Sequence, residues 1–241
     1  MCRTVSTVAL TPMNCPRRET DMALENRTVL VIGRSSGIAH AVVEVATKAG
    51  ATVVVAGRDE VDVTDEASIA ALAARLGHVD HVVSTASARA RGTVETLTRE
   101  AVLASFGVKA IAPIFLARHF APLMPADGSF VFLSGASARK VMPGMLAVGG
   151  TNAALDAIVR GLAVELAPIR VNAVSPGTID TGAYDALGPE AKATLFATRS
   201  ATNPARRIGA PEDIARAVLF ALDATFMTGA SLGIDGGEPL V

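Results

Sequence analysis

The sequence predicts an α/β fold built on a doubly wound parallel sheet, and three observations carry that expectation. Apolar runs of strand length alternate with longer helix-period segments along nearly the whole 241-residue chain. The first two runs are joined through a single helix within about 30 residues, the span of a βαβ unit. Between them a Gly/Ser turn opens directly into that helix, the Rossmann-type arrangement in which a ligand sits at the carboxyl end of the strands.

The elements follow in order. Residues 28–32 (Thr-Val-Leu-Val-Ile) are almost wholly apolar, as a parallel strand covered on both faces requires. Residues 38–49 read as a helix stopped by Gly50, and 52–56 as the second strand. Further strands are expected at 79–84, 129–133, 169–174 and 232–234, with helices at 65–76, 99–123, 145–166, 190–198 and 211–222. Only three residues separate Arg58, just past the second strand, from Asp62-Val63. A right-handed parallel crossover needs about a dozen or more. The edge strand after strand two is therefore expected to be absent or vestigial, with 60–64 running as a loop at the sheet's end. Residues 1–25 lack periodicity and read as a mobile N-terminal tail in which Met22 is an alternative start, and 26–241 as one domain.

Composition narrows the function. Lys and Arg total 22 against 23 Asp and Glu, so no long-range field favours nucleic acid. The two cysteines, Cys2 and Cys15, precede the first periodic segment and form no CxxC or Cys/His cluster, which excludes a disulfide framework and a structural zinc site. His40, His78, His81 and His119 share no metal-ligand spacing and read as structural or surface residues. No apolar run of about 18 residues and no secretory h-region is present, so a cytoplasmic protein without a membrane anchor is expected.

The turn Gly33-Arg34-Ser35-Ser36-Gly37-Ile38-Ala39 lies where a phosphate cradle belongs. Gly33 permits a tight turn, Gly37 lets the backbone approach a pyrophosphate, and the helix start aims its N–H groups at the anion. A site for an unphosphorylated ribose usually places a carboxylate at the end of the second strand. Here Gly57-Arg58 stands there, with Arg34 nearby, and two guanidiniums suit a 2′-phosphate. NADP(H) is favoured over NAD(H). Asp59 is adjacent and partly offsets the preference, and a solvated Arg58 is the competing reading.

From about Leu24 to Val241 the chain resembles the short-chain dehydrogenase/reductase family. The resemblance rests on Ile32-Gly33-x3-Gly37-Ile38, Asp62-Val63, Pro176-Gly177-x-Ile179-x-Thr181, Arg207, Gly209, residues 211–215, Thr228-Gly229 and residues 235–237. It implies that Asp62 and Val63 contact adenine. It also implies that residues 84–87, including Thr85 and Ala86, line the ribose and nicotinamide side. Ile179 and Thr181, after the Pro176-Gly177 turn, would hold the carboxamide and pyrophosphate. Thr85-Ala86-Ser87 replaces the family's Asn-Ala-Gly. Family members usually form homodimers or homotetramers through the two long helices, here 99–123 and 145–166, and the segment after Thr181 to about Thr202 should cap a small-molecule substrate.

The same resemblance places Val148 at the family's catalytic Tyr position, Asn152 at the Lys position, Gly135 at the Ser position and Lys109 at the helix Asn position. The only tyrosine is Tyr184, so no shifted register restores the motif. Lys109 and Asn152 look like a reciprocal exchange. An apolar pocket holding a cationic nicotinamide would lower the Lys109 pKa, so Lys109 is expected to polarise or protonate a substrate oxygen and Asn152 to hold ribose. Ser134, Ser137 and Tyr184 are auxiliary donors. The competing readings are a snorkelling Lys109 and a Tyr184 that is an ordinary loop contact. The sequence therefore points to an NADP(H)-dependent oxidoreductase with a non-standard site, acting on a small apolar carbonyl, enone or alcohol. A catalytically silent NADP(H)-binding sensor or partner protein is the first alternative, and a lyase or isomerase on the same fold the second.

Overall fold

The computed structural model describes residues 24–33, 37–140 and 142–241. Arg34, Ser35 and Ser36, and nearly all of the expected tail, lie outside the described residues. Leu24 is 1% exposed and its N–H donates to Ala49 O at 3.0 Å, so packing begins at the start of the described chain.

Six parallel strands form one sheet: β1 (Thr28–Ile32), β2 (Thr52–Ala56), β3 (His81–Ser84), β4 (Ser129–Leu133), β5 (Arg170–Pro176) and β6 (Ser231–Ile234), in the order β2-β1-β3-β4-β5-β6. β2 is the edge, and no strand lies beyond it among the described residues. The chain there turns back instead. Val61 N donates to Gly57 O at 3.0 Å, and Asp62 accepts from Thr64 N and Thr64 Oγ1 at 2.8 and 2.7 Å. Without room for a crossover, the loop enters α2 (Glu66–Leu76) directly, with the Asp65 carboxylate capping Ala67 N at 3.0 Å.

Helices cover both faces of the sheet. α1 (Ile38–Lys48) and α7 (Pro211–Asp223) bury Val42, Ala46, Ile214 and Val218 against Val29, Val31 and Val131. On the other face α2, α4 (Ala112–Phe120) and α5 (Leu146–Glu165) pack Leu72, Leu116, Phe120, Leu155 and Val159 against Leu30, Val82 and Phe130. These two layers account for the near-continuous apolar strands. Arg170, 7% exposed at the start of β5, donates from Nη1 and Nη2 to the carbonyls of Ala221, Leu222 and Ala224, satisfying the C-terminus of α7.

The stretch 99–123 is not one continuous α-helix, as the sequence suggested. It runs as α3 (Arg99–Phe106), a π-turn (Gly107–Ile111), α4 and a 3-10 turn (Ala121–Leu123). By length and composition it could cross a membrane, with a mean hydropathy of 1.6. In the structure it is a core helix, with Leu116, Ala117 and Phe120 at most 1% exposed. β5 extends to Pro176 because Ser175 and Pro176 pair with Gly233 and Ile234. α6 (Pro189–Thr202) is longer than expected and has no buried residue, so it rides outside the two-layer core.

Candidate active site

A cavity of about 1080 Å³ opens at the carboxyl ends of β1, β3, β4 and β5, bounded by Ile32, Thr85, Leu133 and Pro176. That is where ligands bind in open α/β sheets, and the size suits a dinucleotide with substrate beside it. Every described candidate from the sequence lines it: Gly33, Gly37, Ile38, Arg58, Asp62, Val63, Thr85, Ala86, Pro176, Gly177, Ile179 and Thr181 at one end, and Lys109, Ser134 and Asn152 at the other.

The first end is made largely of backbone. Gly33 N donates to Ala56 O at 3.0 Å. A Cβ on Gly33 would lie 1.9 Å from Thr85 Oγ1, itself a donor to Ile32 O at 3.2 Å. Gly37 precedes α1 with φ +61°, and a Cβ there would come within 3.1 Å of Thr181 Cβ. The two glycines therefore hold the strand-to-helix turn against Thr85 on one side and Thr181 on the other. Ile179 is 5% exposed and bridges Gly209, while Thr178 N and Oγ1 both donate to Glu238 Oε2 at 2.9 Å. At the end of β2, Arg58 is exposed toward the cavity. The nearest carboxylate bonded to this strand end is Glu60, which accepts from Gly57 N at 2.7 Å.

The second end is made of side chains. Lys109 sits in the π-turn, 7% exposed, and its Nζ donates to Leu133 O and, at 3.5 Å, to Ser134 O. It does not snorkel. The extra backbone residue of a π-turn re-aims a helical side chain, and such turns recur at functional sites. Desolvation, reinforced by the Arg89 charge and opposed by Asp156, lowers the Lys109 pKa to about 7. Burial, the apolar half of the cause expected from the sequence, leads the shift, and Arg89 adds the neighbouring positive charge that had been expected from the nicotinamide.

Asn152 is 4% exposed on α5, and its Nδ2 donates to Ser137 Oγ at 2.9 Å. Its Oδ1 is buried and has no hydrogen-bond partner among the described residues. A Cβ on Gly135 would lie 2.7 Å from Asn152 Nδ2, and one on Gly149 would lie 2.8 Å from Ser137 O. These two glycines let the 134–139 loop lie directly on α5 and hold the Asn152 amide. Ser134 Oγ donates to Asn152 O at 3.3 Å, so its proton is engaged with the helix backbone. Val148, 6% exposed, presents only an apolar surface to the cavity.

Sequence reasoning missed Arg89, Arg91, Arg199 and Glu238, all on the cavity wall. Arg199 Nη1 pairs with Glu238 Oε1 at 2.8 Å, tying α6 to the C-terminal segment. Tyr184 also lines the cavity, with its ring edge-on to Phe196 (centroids 5.5 Å apart) and the Arg91 guanidinium 5.7 Å from its centroid. The four histidines gather no metal ligands, and no cluster that could hold a metal occurs among the described residues. His81 is buried on Ser129 Oγ at 2.9 Å, and burial lowers its pKa to about 4.

A family model described as enoyl-(acyl carrier protein) reductase matches residues 59–238. A short-chain dehydrogenase/reductase of Stachybotrys chlorohalonatus is 32% identical over 89% of this chain and 97% of its own. The 1-cyclohexenylcarbonyl-CoA reductase of Streptomyces collinus is 30% identical over 95% of this chain and 92% of its own. Among solved structures, a small-chain dehydrogenase in complex with NADPH superposes with a TM-score of 0.85 at 32% identity, covering 90% of this chain and all of that one.

Proposed function

The chain belongs to the short-chain dehydrogenase/reductase family of NAD(P)H-dependent oxidoreductases, and from that premise we propose that it reduces a carbonyl or enone compound with NADPH, using Lys109 as the proton donor. The observation that carries this reading is Lys109 itself, a buried amine on the cavity wall with a pKa brought to about 7. A general acid works best when its pKa lies near the operating pH.

The residues present fit a dinucleotide. Two glycines keep side chains out of the turn at the start of α1, and the buried Asn152 Oδ1 needs a donor such as a ribose hydroxyl. Gly33, Gly37 and Ile38, with the segment 34–36, would hold the pyrophosphate, and Thr181 would close over it. Asp62 and Val63 would flank adenine, Thr85 and Ala86 the ribose, and Pro176, Gly177 and Ile179 the nicotinamide carboxamide. Arg58 and Arg34 would take the 2′-phosphate. The only carboxylate hydrogen-bonded to the end of β2 among the described residues is engaged with Gly57 N, which supports NADPH over NADH. When bound, the coenzyme supplies a hydride.

The chain's own residues supply the rest. Lys109 is tethered by two carbonyls, so its position is fixed while a remaining N–H reaches a substrate oxygen. It donates a hydrogen bond to that oxygen and then its proton, becomes a neutral amine, and recovers a proton through the open cavity. Asn152, steadied by Ser137, positions the ribose, and Ser134 fixes the helix backbone beside it. Val148, Met142, Met145 and Leu195 give the substrate an apolar wall. The enone option is supported by the family description and by the Streptomyces relative's name. A silent coenzyme-binding protein is the second reading, favoured by the purely apolar Val148. We also propose a cytoplasmic homodimer or homotetramer, supported by the exposed Leu103, Ile111 and Ile114 on the long helix and Leu146 and Val164 on α5.

The test is a fluorescence titration with NADPH and NADH, followed by NADPH oxidation with a carbonyl and enone panel. NADPH should bind at least tenfold more tightly than NADH. Lys109→Met should keep that binding and lose about 10²- to 10⁴-fold in turnover, the usual worth of a positioned acid. Turnover unaffected by the substitution would remove Lys109 from the chemistry, and binding without turnover of any substrate would favour the silent reading.

A further inference from the structure

We propose that the wall formed by Ser87, Arg89 and Arg91 is an anion subsite, and that the substrate is a carbonyl or enone compound bearing a carboxylate. The proposal rests on the reductase reading above and names the substrate class of that same site.

The segment after β3 runs along the cavity without helix from residue 85 to 89, and a tight turn in which Arg91 N donates to Arg89 O at 3.1 Å brings Arg91 to the same wall. Ser87, Ala88, Arg89 and Arg91 line the cavity, while Ala90 at the apex of the turn is 4% exposed and does not. The strip is held in place from both ends. Ser105 Oγ donates to Ala88 O at 2.8 Å, and Gly92 N donates to Gly144 O at 2.9 Å.

Three features of this wall call for a negative group. Neither arginine forms an ion pair among the described residues. The three acids that share the cavity are committed elsewhere, Asp62 to Thr64 N and Oγ1 at 2.8 and 2.7 Å, Asp185 to Lys192 at 2.7 Å and Glu238 to Arg199 at 2.8 Å. Ser87 Oγ is buried with no hydrogen-bond partner among the described residues, although its hydroxyl can donate to an oxyanion. The Arg89 side chain reaches solvent through the cavity, yet protein surrounds its guanidinium closely enough that desolvation lowers its pKa. Its charge also works against protonation of Lys109, a cost that an anion beside Arg89 offsets. Arginine's planar fork matches a carboxylate. The apolar wall opposite then takes the carbon chain, so both kinds of surface have a use.

Tyr184 gives a direct readout. It is the only tyrosine in a chain without tryptophan, and it lies 5.7 Å from the Arg91 guanidinium. Tyrosine emission should be followed while the full chain is titrated with succinate, 1,4-butanediol or inorganic phosphate, with and without NADPH. Succinate should saturate at a Kd at least tenfold below those of the diol and of phosphate. An Arg89→Met/Arg91→Met double variant should weaken succinate binding at least tenfold with NADPH affinity unchanged, and Arg89→Lys/Arg91→Lys should recover part of it. Equal binding of diol and succinate, tighter binding of phosphate, or succinate binding unaltered in the double variant would overturn the proposal. Succinate binding is read without coenzyme, so a failure of NADPH to bind counts against the reductase reading alone.

Discussion

The two ends of the cavity are built in different ways. At the end proposed for the coenzyme the wall is backbone and the space that glycine leaves: Gly33 closes on Thr85 and Gly37 on Thr181. At the end proposed for the reaction it is side chains, Lys109, Asn152 and Ser137, delivered by the π-turn, α5 and the 134–139 loop. A backbone cradle is specified by where side chains are missing, so it follows the family's pattern with little change. A side-chain constellation can be rewritten if charge and volume are redistributed together. Here the resemblance drawn from the sequence would make Lys109 and Asn152 such an exchange. Gly135 leaves room for the Asn152 amide.

Substitutions at each end should separate these modes of construction. Of the two glycine substitutions, the larger effect is expected at Gly37. An alanine there must adopt φ +61° with ψ −131°, a pairing that glycine takes up readily and other residues at a cost of about 1–3 kcal/mol, with its Cβ pressed on Thr181 at 3.1 Å. NADPH affinity should fall about 10- to 100-fold by fluorescence titration while circular dichroism shows the fold intact. Unchanged affinity would mean that the turn is not the cradle.

A smaller effect is expected at the reaction end. Gly135→Ser drives a Cβ to within 2.7 Å of Asn152 Nδ2. Overpacking of this kind costs about 1–3 kcal/mol. A lowered denaturant midpoint should result, together with weaker coenzyme binding through the displaced Asn152. A variant as stable as the parent would show that the pair Gly135/Asn152 is not a coupled replacement.

Much of this was legible before any coordinates. The apolar strands, the turn into α1 and the three-residue gap after Arg58 define the parallel sheet and its missing edge, because periodicity and loop length are local properties, whereas the strand order appears only in the structure. The residues expected at the coenzyme end that the structure describes do line one cavity. At the reaction end, Lys109 and Asn152 could be named, but the π-turn could not. Nothing in Phe-Gly-Val-Lys-Ala marks a widened turn, and tertiary packing decides it. The Lys109 pKa depends on burial and on Arg89, 20 positions away in sequence, and spacing alone shows neither. Arg89 and Arg91 left no trace in the sequence, because a tight turn between them, with Arg91 N on Arg89 O at 3.1 Å, brings both to one wall.

The account turns on whether Lys109 is the acid, and its protonation can be followed through the reaction. Because burial lowers its pKa from the ordinary lysine value to about 7, the protonated, proton-donating form exists below that pH and is lost above it. The single-turnover rate of NADPH oxidation with the best substrate of the panel should be level below pH 7. It should then fall about tenfold per pH unit as the ammonium disappears. A rate that stays level to pH 9 would contradict it, since an unshifted lysine, or a reaction that needs none, would give that profile.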